Sequence, residues 1–288
     1  MPADFEHDRL LVTCASGKQA SHLLPHVSEK WKNITLAVHS STSEERLKNQ
    51  YPTRDVVSGD LMDPAFVKRI MNGVTAVFHL CPGFHPHEDI VGYNMIDAAV
   101  EEAKNGSLKH FVYSSVEEYL MESGLKYTIL QPTHFMDMFP VPMLVQQSSP
   151  IFVANWDPSI PFSFVALRDL GEAGAKVLIE REKHFFAQYP LVSDGPTPYT
   201  DVVRHASDAI GKSIKLEQRP FQEAVNFMLD RFFGEDVPVR ARDGMERMLL
   251  FYNRRGLVGN SNVLEWLLGR KPTSHEQWMR LAVAEAKQ

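Results

Sequence analysis

Histidine is the residue type in this sequence best suited to proton transfer near neutral pH, because its imidazole titrates in that range. His134 follows an apolar run typical of a β-strand, and His85 and His87 follow another. We predict His134 as the leading catalytic acid or base, with His85 and His87 as alternatives. A structural role competes in each case, because His134 could be hydrogen-bonded in the interior and the pair could belong to a polar loop. Tyr113 is either a phenol beside a ligand or a core strand residue.

Residue types that bind metals are concentrated in the same stretch, which contains His79, His85, His87, Glu88 and Asp89. A zinc site needs three or four ligands with a supporting spacing, and this stretch lacks that spacing. An acid at the start of a helix explains Glu88 or Asp89 equally well. We therefore predict no metal site.

A turn that could bind phosphate lies between the first predicted strand and the first predicted helix, where the sequence reads Thr13-Cys14-Ala15-Ser16-Gly17-Lys18-Gln19-Ala20. Dinucleotide-binding folds place a glycine-rich loop at this point. Only Gly17 is a glycine here, and Cys14 carries a Cβ that disfavours a positive φ. The amides at the helix start, together with Lys18, could still bind a diphosphate. An ordinary strand-to-helix turn is the alternative.

The end of the second predicted strand favours NADP over NAD. NAD sites place a carboxylate against the ribose 2′-hydroxyl, and that carboxylate would repel a 2′-phosphate. Here His39, Ser40 and Ser41 occupy this position, and Arg46 follows, so hydrogen-bond donors stand where the acid would be. The alternative is that the serines only cap the next helix.

These residues are positioned by a repeating pattern of strands and helices. Short apolar runs alternate with segments of helical periodicity, and Asp63 before Pro64 is a helix start signal. Such alternation implies right-handed crossovers, so we predict an α/β fold with a doubly wound parallel sheet of the Rossmann type. The predicted strands cover residues 10–13, 34–38, 55–58, 74–80, 110–113 and 127–130, and the predicted helices cover 43–50, 89–104 and 116–122.

The pattern changes after Gln131, where prolines become frequent and long regular elements are excluded. We predict a dinucleotide-binding core over residues 1–131 and a smaller, mainly helical substrate lobe over 132–288, intermixed with the core. Its predicted helices cover 168–180, 200–210, 221–233 and 246–252, with a strand over 214–218. An apolar pocket wall is predicted from Met136, Met138, Phe139, Met143 and Phe152.

Composition excludes several classes of protein. The 288 residues are 44% hydrophobic and 23% charged, which excludes overall disorder. With 30 basic and 36 acidic residues the net charge is −6, so direct binding of nucleic acid is not expected. Two cysteines, Cys14 and Cys81, are too few for a disulfide framework. No membrane-spanning run or signal peptide is recognised, so a cytoplasmic protein is expected.

Several segments together carry a resemblance to a known family. They are residues 13–20, Ser58-Gly59-Asp60-Leu61-Met62-Asp63-Pro64, Ala76-Val77-Phe78-His79, Phe111-Val112-Tyr113-Ser114-Ser115, residues 127–133, 165–171 and 265–272. In this order they resemble the NmrA-like branch of the atypical short-chain dehydrogenase/reductases, over nearly the whole chain. The resemblance implies a Rossmann domain with a smaller carboxyl-terminal substrate lobe, and NADP(H) along the carboxyl edge of the sheet.

The resemblance also implies roles for individual residues. The predicted cofactor-binding residues include Thr13, Ser16, His39 and Ser40. Gly17, Lys18 and Gln19 would lie under the pyrophosphate. Asp60 and Leu61 would lie beside the adenine. The ribose next to the nicotinamide would be flanked by Leu80, Cys81 and Pro82, and the segment from Pro132 to Phe135 would border the nicotinamide ring and the substrate.

Departures from the family pattern predict that nucleotide binding is weak or lost. Family members generally have glycine at the positions of Cys14 and Ala20 and arginine at the position of His39. They also insert a segment after the serine pair whose lysine touches the nicotinamide ribose, whereas here Ser115 is followed directly by Val116. The wider superfamily uses a tyrosine acid with a lysine four residues later, and none of the eight tyrosines here is followed by a lysine at that spacing.

Two classes of function follow. The first is an NADP(H)-dependent oxidoreductase, or an enzyme derived from a reductase, acting on an apolar or aromatic small molecule. A non-redox isomerase, cyclase or lyase on the same fold is its rival. The second class is a non-catalytic module that senses a dinucleotide, with a protein partner or a homodimer as its assembly.

Overall fold

A computed structural model describes residues 3–81, 85, 87–113, 117–234 and 237–287. The chain divides into two compact units. The first contains residues 1–131 and 170–189, and the second contains residues 132–169 and 190–288. The segment 170–189 thus returns to the first unit after the chain has entered the second.

The described residues form twelve strands and twelve α-helices. The strands are β1 (Arg9–Val12), β2 (Asn33–Val38), β3 (Asp55–Ser58), β4 (Ala76–His79), β5 (His110–Tyr113), β6 (Tyr127–Pro132), β7 (His134–Phe135), β8 (Ile151–Ala154), β9 (Pro161–Val165), β10 (Ala187–Leu191), β11 (Asp194–Pro198) and β12 (Lys215–Gln218). The helices are α1 (Lys18–Ser28), α2 (Ser41–Gln50), α3 (Pro64–Met71), α4 (Glu88–Lys104), α5 (Glu117–Glu122), α6 (Val141–Gln146), α7 (Leu167–Glu180), α8 (Tyr199–Ile210), α9 (Phe221–Phe233), α10 (Val239–Arg255), α11 (Asn262–Leu268) and α12 (His275–Ala286).

A seven-stranded sheet in the order β10-β6-β5-β4-β1-β2-β3 forms the centre of the first unit. Neighbouring strands from β1 to β6 run parallel. The strand order reverses direction between β1 and β4, which is the point where doubly wound sheets bind ligands at their carboxyl edge. The predicted doubly wound α/β fold is therefore confirmed.

Helices cover this sheet because its strands are apolar on both faces. Leu10, Leu11 and Val12 of β1 are fully buried, as expected for a central parallel strand. Helix α3 begins as predicted, since the Asp63 side chain accepts a hydrogen bond from the amide of Ala65. Helix α1 runs against α7 at Gly171, where an added Cβ would lie 2.4 Å from the carbonyl oxygen of His22. Only glycine permits that approach.

Short elements make up the start of the second unit, as its prolines predict. A three-stranded sheet in the order β11-β9-β7 and the parallel pair β12-β8 are surrounded by helices. The strands β7 to β11 and the helices α6, α11 and α12 were not predicted. Helix α10 is also longer than predicted, because its polar outer positions conceal the buried stripe formed by Met245 and Leu249.

Candidate functional site

The carboxyl ends of β1 and β4 are joined by the side chain of Thr13. Its hydroxyl lies 2.9 Å from both the amide nitrogen and the carbonyl oxygen of Leu80, and 2.7 Å from Nδ1 of His79. The Thr13 side chain is fully buried. Thr13 was predicted to bind a cofactor, but its hydroxyl is engaged in fixing the two strand ends at the point where the strand order reverses.

The same hydrogen bonds determine the state of His79. The Thr13 hydroxyl has one hydrogen, so when it donates to the Leu80 carbonyl it accepts from Nδ1–H of His79. Nε2 of His79 is then an acceptor in the interior. Burial lowers the pKa of His79 to about 3, so the ring is neutral at physiological pH.

A glycine-like backbone conformation occurs at Cys14, directly after β1. Its φ is +46°, in the left-handed region that L-residues other than glycine rarely occupy. The carbonyl of Cys14 accepts a hydrogen bond of 2.9 Å from the amide of Gly17, which closes the turn. Cys14 therefore adopts a positive φ, as a glycine would, although its Cβ disfavours that conformation.

Helix α1 starts immediately after this turn. Gly17 is its N-cap and contributes no side chain, and the first amides of a helix have no acceptor within the helix. Lys18 is exposed, Gln19 and Ser16 are half-buried, and Ala20 is fully buried against the core. This arrangement has the positive end of a helix dipole and a lysine at one turn, which suits a diphosphate.

Exposed donors follow β2 where the ribose 2′-phosphate of NADP is expected. His39 and Ser40 are exposed, and the Ser40 hydroxyl caps α2 by accepting from the amide of Ser43. Capping is therefore one function of this segment, as the alternative interpretation proposed. Nη2 of Arg46 donates to the carbonyl of Ser16 across 3.2 Å, which brings a guanidinium beside the phosphate loop.

Two acids, Glu44 and Glu45, follow in α2, and Glu44 is neutralised locally. Its carboxylate accepts hydrogen bonds from Lys48 and from the hydroxyl of Ser58. Lys48 is the main reason that the pKa of Glu44 is lowered, followed by Ser58. The carboxylate faces β3 and is not free to repel a phosphate.

The loop after β3 holds Asp60 and Leu61, the residues that the resemblance places at the adenine. Asp60 accepts a hydrogen bond from the amide of Met62, and Asn94 of α4 donates to the carbonyls of Leu61 and Met62. Asn94 was missed by sequence reasoning because an amide in a helix has no motif of its own.

The predicted residues after β4 lie partly inside the described ranges. Leu80 is buried, Cys81 is half-buried, and Pro82 lies outside the described residues. Burial raises the pKa of the Cys14 thiol to about 12 and raises that of Cys81 further, with Glu88 and Cys14 adding to the second effect. Both thiols are therefore poor nucleophiles at neutral pH.

His85 lies near two other predicted site residues. Burial and the neighbouring His87 lower its pKa, the His87 amide and Asp60 oppose this shift, and His39 adds to it. The amide of His87 donates to Nδ1 of His85. The structure thus brings residues from the ends of β2, β3 and β4 to one edge of the sheet.

Tyr113 is part of the core in this structure. It is 1% exposed, and its ring stacks on that of His79 with centroids 4.7 Å apart. A phenol in this position cannot reach a ligand, so its burial argues against the predicted catalytic role.

His134 lies in the second unit, among aromatic rings. Pro132, the first residue of that unit, is half-buried. Burial lowers the pKa of His134 to about 4, so its imidazole is neutral at pH 7. The ring is half-buried and contacts five aromatic rings with centroid distances of 5.3 to 6.2 Å, those of Trp156, Phe162, Phe164, Tyr199 and Tyr252. The predicted wall residues Met136, Phe139 and Phe152 belong to the same buried cluster, whereas Met138 and Met143 are exposed.

Among the residues that the structure describes, no group of three or more histidines, cysteines and acids could hold a metal ion. No described helix is long and apolar enough to cross a membrane.

Comparison with known proteins agrees with the fold. The model of the NmrA-like family matches residues 6–118. The matched segment, which is about two fifths of the chain, is similar to the NmrA-like family. No curated protein matches the chain.

Solved structures share the fold over nearly the whole chain. A triphenylmethane reductase from Citrobacter sp., in complex with NADP(H), is 21% identical with a TM-score of 0.76, covering 96% of this chain and 99% of that one. An NADPH-dependent quinone oxidoreductase from Escherichia coli, in complex with NADPH, is 17% identical with a TM-score of 0.75, covering 97% and 100%. NmrA itself, a negative transcriptional regulator in complex with NADP, is 16% identical with a TM-score of 0.73, covering 98% of each chain. At these identities the likeness concerns the fold.

Proposed function

We propose that this protein binds NADP(H) at the carboxyl edge of its seven-stranded sheet and reduces an apolar, conjugated small molecule. The observation that carries the proposal is the positive φ of Cys14. A left-handed non-glycine residue costs about 1 to 2 kcal/mol, and such strain is concentrated where a ligand requires the shape.

The charges around this turn support NADP over NAD. Lys18 and Arg46 are cations at the loop, and His39 and Ser40 add donors at the end of β2. Glu44 is held by Lys48 and Ser58 and does not oppose a 2′-phosphate. A phosphate group is recognised through such charge-assisted hydrogen bonds.

The acid/base residues restrict the chemistry that we propose. When bound, reduced nicotinamide supplies a hydride. The sequence has no tyrosine and lysine pair, and the phenol of Tyr113 is buried. A conjugated acceptor such as a quinone or a cationic dye suits this protein, because the quinone product can take its proton from water and the cationic dye needs none. Two of the structural neighbours are named as a triphenylmethane reductase and a quinone oxidoreductase, and these names refer to such compounds.

We further propose His134 as the polar group on the substrate side. With its pKa lowered to about 4, the neutral imidazole would donate a hydrogen bond to an acceptor oxygen and would not act as a charged acid. The aromatic rings around it favour a flat, apolar substrate.

A regulatory module that senses the dinucleotide is the second candidate. The burial of Tyr113 and the absence of its lysine partner favour it, because binding needs neither. NmrA, a regulator with this fold, has been solved with NAD and with NADP.

The first experiment is a titration of the purified protein with NADPH and NADH, followed by nicotinamide fluorescence. We expect NADPH to bind more tightly, and His39→Asp to reduce the preference by about tenfold through repulsion of the 2′-phosphate. His26→Asp, which adds the same charge on an exposed position of α1, should leave it unchanged. Equal or reversed affinities in the wild type contradict the preference for NADP.

Binding is expected to be weak, so the protein should purify without nucleotide. Stoichiometric copurification would contradict this expectation and would leave the NADP(H) site itself supported. No binding of either nucleotide would contradict the whole proposal.

The second experiment separates the two candidates. NADPH oxidation is measured with a panel of quinones and triphenylmethane dyes. Turnover supports the reductase, whereas tight NADPH binding without turnover of any acceptor supports the regulator. His134→Phe, which keeps an aromatic ring of similar size, should lower turnover of the quinones by up to about tenfold if the hydrogen bond from the imidazole assists the reaction. Near-normal turnover would assign the role to His85 or His87.

A further inference from the structure

A groove in the second unit collects positive charge. It encloses about 550 Å³, and its lining includes Arg168, Arg270, Lys271 and Arg280 together with the polar side chains of Thr273 and Gln277. No acid is among the lining residues that the structure describes. In a chain of net charge −6, four cations around one groove are a local concentration.

Three segments that are distant in sequence supply these cations. Arg168 is in the first turn of α7, Arg270 and Lys271 follow the end of α11 at Gly269, and Arg280 is in α12. Helix α12 also begins at this groove, with Ser274 as its N-cap and Gln277 in its first turn. The positive end of its dipole adds to the field of the side chains.

A buried carboxylate holds the floor of the groove in place. Asp169 is fully buried and accepts hydrogen bonds from the amide and hydroxyl of Thr273, from the hydroxyl of Ser193 and from Nη2 of Arg270. Nη1 of Arg270 donates to the carbonyl of Lys271. Because the guanidinium is fixed before any ligand arrives, little side-chain freedom would be lost on binding.

The remaining charge determines the class of ligand. Asp169 offsets Arg270, and Glu276 lies 3.6 Å from Arg280 on the exposed surface of α12. Arg168 and Lys271 are exposed and have no ion pair within the described part of the chain. A net charge of about +2 therefore faces the groove and would be matched by an anion with at least two negative charges.

We propose that this groove binds a small phosphorylated ligand that carries at least two negative charges. A guanidinium group pairs with phosphate oxygens through two parallel hydrogen bonds, and lysine adds a point charge. The volume of the groove is in the range of small-molecule sites. A compact cluster on a chain of net negative charge favours a small anion over an extended nucleic acid. The site is separate in sequence from the phosphate loop and does not depend on the proposed function.

The test uses inorganic pyrophosphate as the probe, measured by calorimetry on the full chain. Binding of pyrophosphate at the turn before α1 is identified separately, with the variant of Lys18 and Arg46 given below. The double variant Arg168→Ala with Lys271→Ala should weaken binding by at least about tenfold, since it removes charge-assisted contacts. The matched control is Arg254→Ala with Arg255→Ala, which removes the same charge from exposed positions of α10 and should leave the affinity within about twofold.

Two further arms keep the result specific. Lys18→Ala with Arg46→Ala removes cations at the turn before α1 and should remove only pyrophosphate bound at that turn, so that the binding that depends on Arg168 and Lys271 is unchanged. ADP is also measured in place of pyrophosphate. Equal affinities mean that the groove recognises only the phosphates, and tighter binding of ADP means that it also recognises a nucleoside; both results support the proposed anion site. If the first double variant does not fold, Lys271→Gln is measured in its place, because its main-chain contact to Arg270 is retained.

Three outcomes would overturn the proposal. The first is a dissociation constant weaker than about 1 mM for the wild type. The second is an unchanged affinity in the variant of Arg168 and Lys271, and the third is an equal loss in the control on α10. None of these outcomes bears on NADPH binding, so the failure of this site and of the proposed function can be distinguished.

Discussion

Both edges of the seven-stranded sheet hold non-glycine residues in the left-handed region, Cys14 at φ +46° at the carboxyl edge, and Arg181 at φ +47° and Phe186 at φ +60° at the amino edge. The amide of Phe186 donates a hydrogen bond to the carbonyl of Tyr127 at the start of β6. At the amino edge, Arg181 is 1% exposed and its Nη2 lies 2.6 Å from Oδ2 of the buried Asp8. At the carboxyl edge, no side-chain hydrogen bond of Cys14 is found among the described residues. Strain at the amino edge is thus explained by an interaction within the protein, whereas strain at the carboxyl edge is explained by the ligand that we propose.

The comparison predicts that the amino-edge residues determine the stability of the protein, whereas the carboxyl-edge residues determine its affinity for nucleotide. Asp8 also pairs with Lys109, and His110, Thr128 and His184 continue a buried polar network beside it. Changes to this network should alter the free energy of unfolding without altering nucleotide affinity. Changes at the phosphate loop should do the reverse.

The largest effect is expected for Asp8→Ala. Removing one partner of a buried ion pair leaves the guanidinium of Arg181 uncompensated, which costs about 3 to 5 kcal/mol. Urea unfolding would measure this loss, and NADPH affinity of the folded variant should be unchanged. Glu6→Ala removes the acid of an exposed ion pair with Lys32 and should cost less than about 1 kcal/mol. A loss below about 1 kcal/mol for Asp8→Ala, or a parallel loss of NADPH affinity, would contradict the division between the edges.

A dependence of stability on pH should follow from the buried histidines. Burial lowers the pKa of His110 to about 3, with Arg181 and His184 contributing, and it lowers that of His79 similarly. Since the folded pKa lies below the unfolded value near 6.5, the contribution is complete above pH 6.5 and declines as pH falls toward 3. Each histidine should contribute a slope of up to about 1.4 kcal/mol per pH unit.

The measurement is urea unfolding at several values between pH 7 and pH 4. His110→Gln, which can still hydrogen-bond Thr128, should reduce the slope by about one histidine's share, and the exposed His26→Gln should not change it. An unchanged slope for His110→Gln would mean that the ring becomes protonated in the folded state without cost.

Sequence reasoning placed the first unit well and the second poorly for a physical reason. Parallel strands buried on both faces appear as continuous apolar runs, so β1 to β6 could be predicted. Strands such as β8 and β9 are short, follow prolines and are defined by distant partners. The local sequence pattern does not indicate with which distant strands they pair.

The candidate site shows the same limit. The position of the phosphate loop could be predicted, but its strain could not, because a positive φ at Cys14 is decided by the surrounding turn. The contact between Asp8 and Arg181 joins residues 173 positions apart, and neither residue has a local motif. The engagement of the Thr13 hydroxyl and the burial of Tyr113 likewise depend on packing of the whole sheet.

A smaller effect is expected for Cys14→Gly. Relief of the left-handed strain should stabilise the protein by about 0.5 to 1 kcal/mol, because glycine adopts this φ freely and part of the gain is offset by its entropy when unfolded. Because the turn already has the glycine-like shape, NADPH affinity should change by no more than about twofold. Cys14→Ala keeps the Cβ and should show no gain in the free energy of unfolding. A tightening above about tenfold in the glycine variant would mean that the wild-type turn leaves this shape in solution.

The smallest effect on stability is expected for Arg46→Ala, which completes the contrast between the edges. Arg46 is exposed and makes one hydrogen bond, to the carbonyl of Ser16, so its loss should change the free energy of unfolding by less than about 0.5 kcal/mol. Its guanidinium should contact the 2′-phosphate, so affinity for NADPH should fall by about tenfold while affinity for NADH stays the same. Lys104→Ala is the matched control, since it removes one exposed cation from the carboxyl end of α4, and both affinities should persist. An equal loss for NADPH and NADH would assign Arg46 to the diphosphate, and the basis for preferring NADP would then rest on His39 and Ser40 alone.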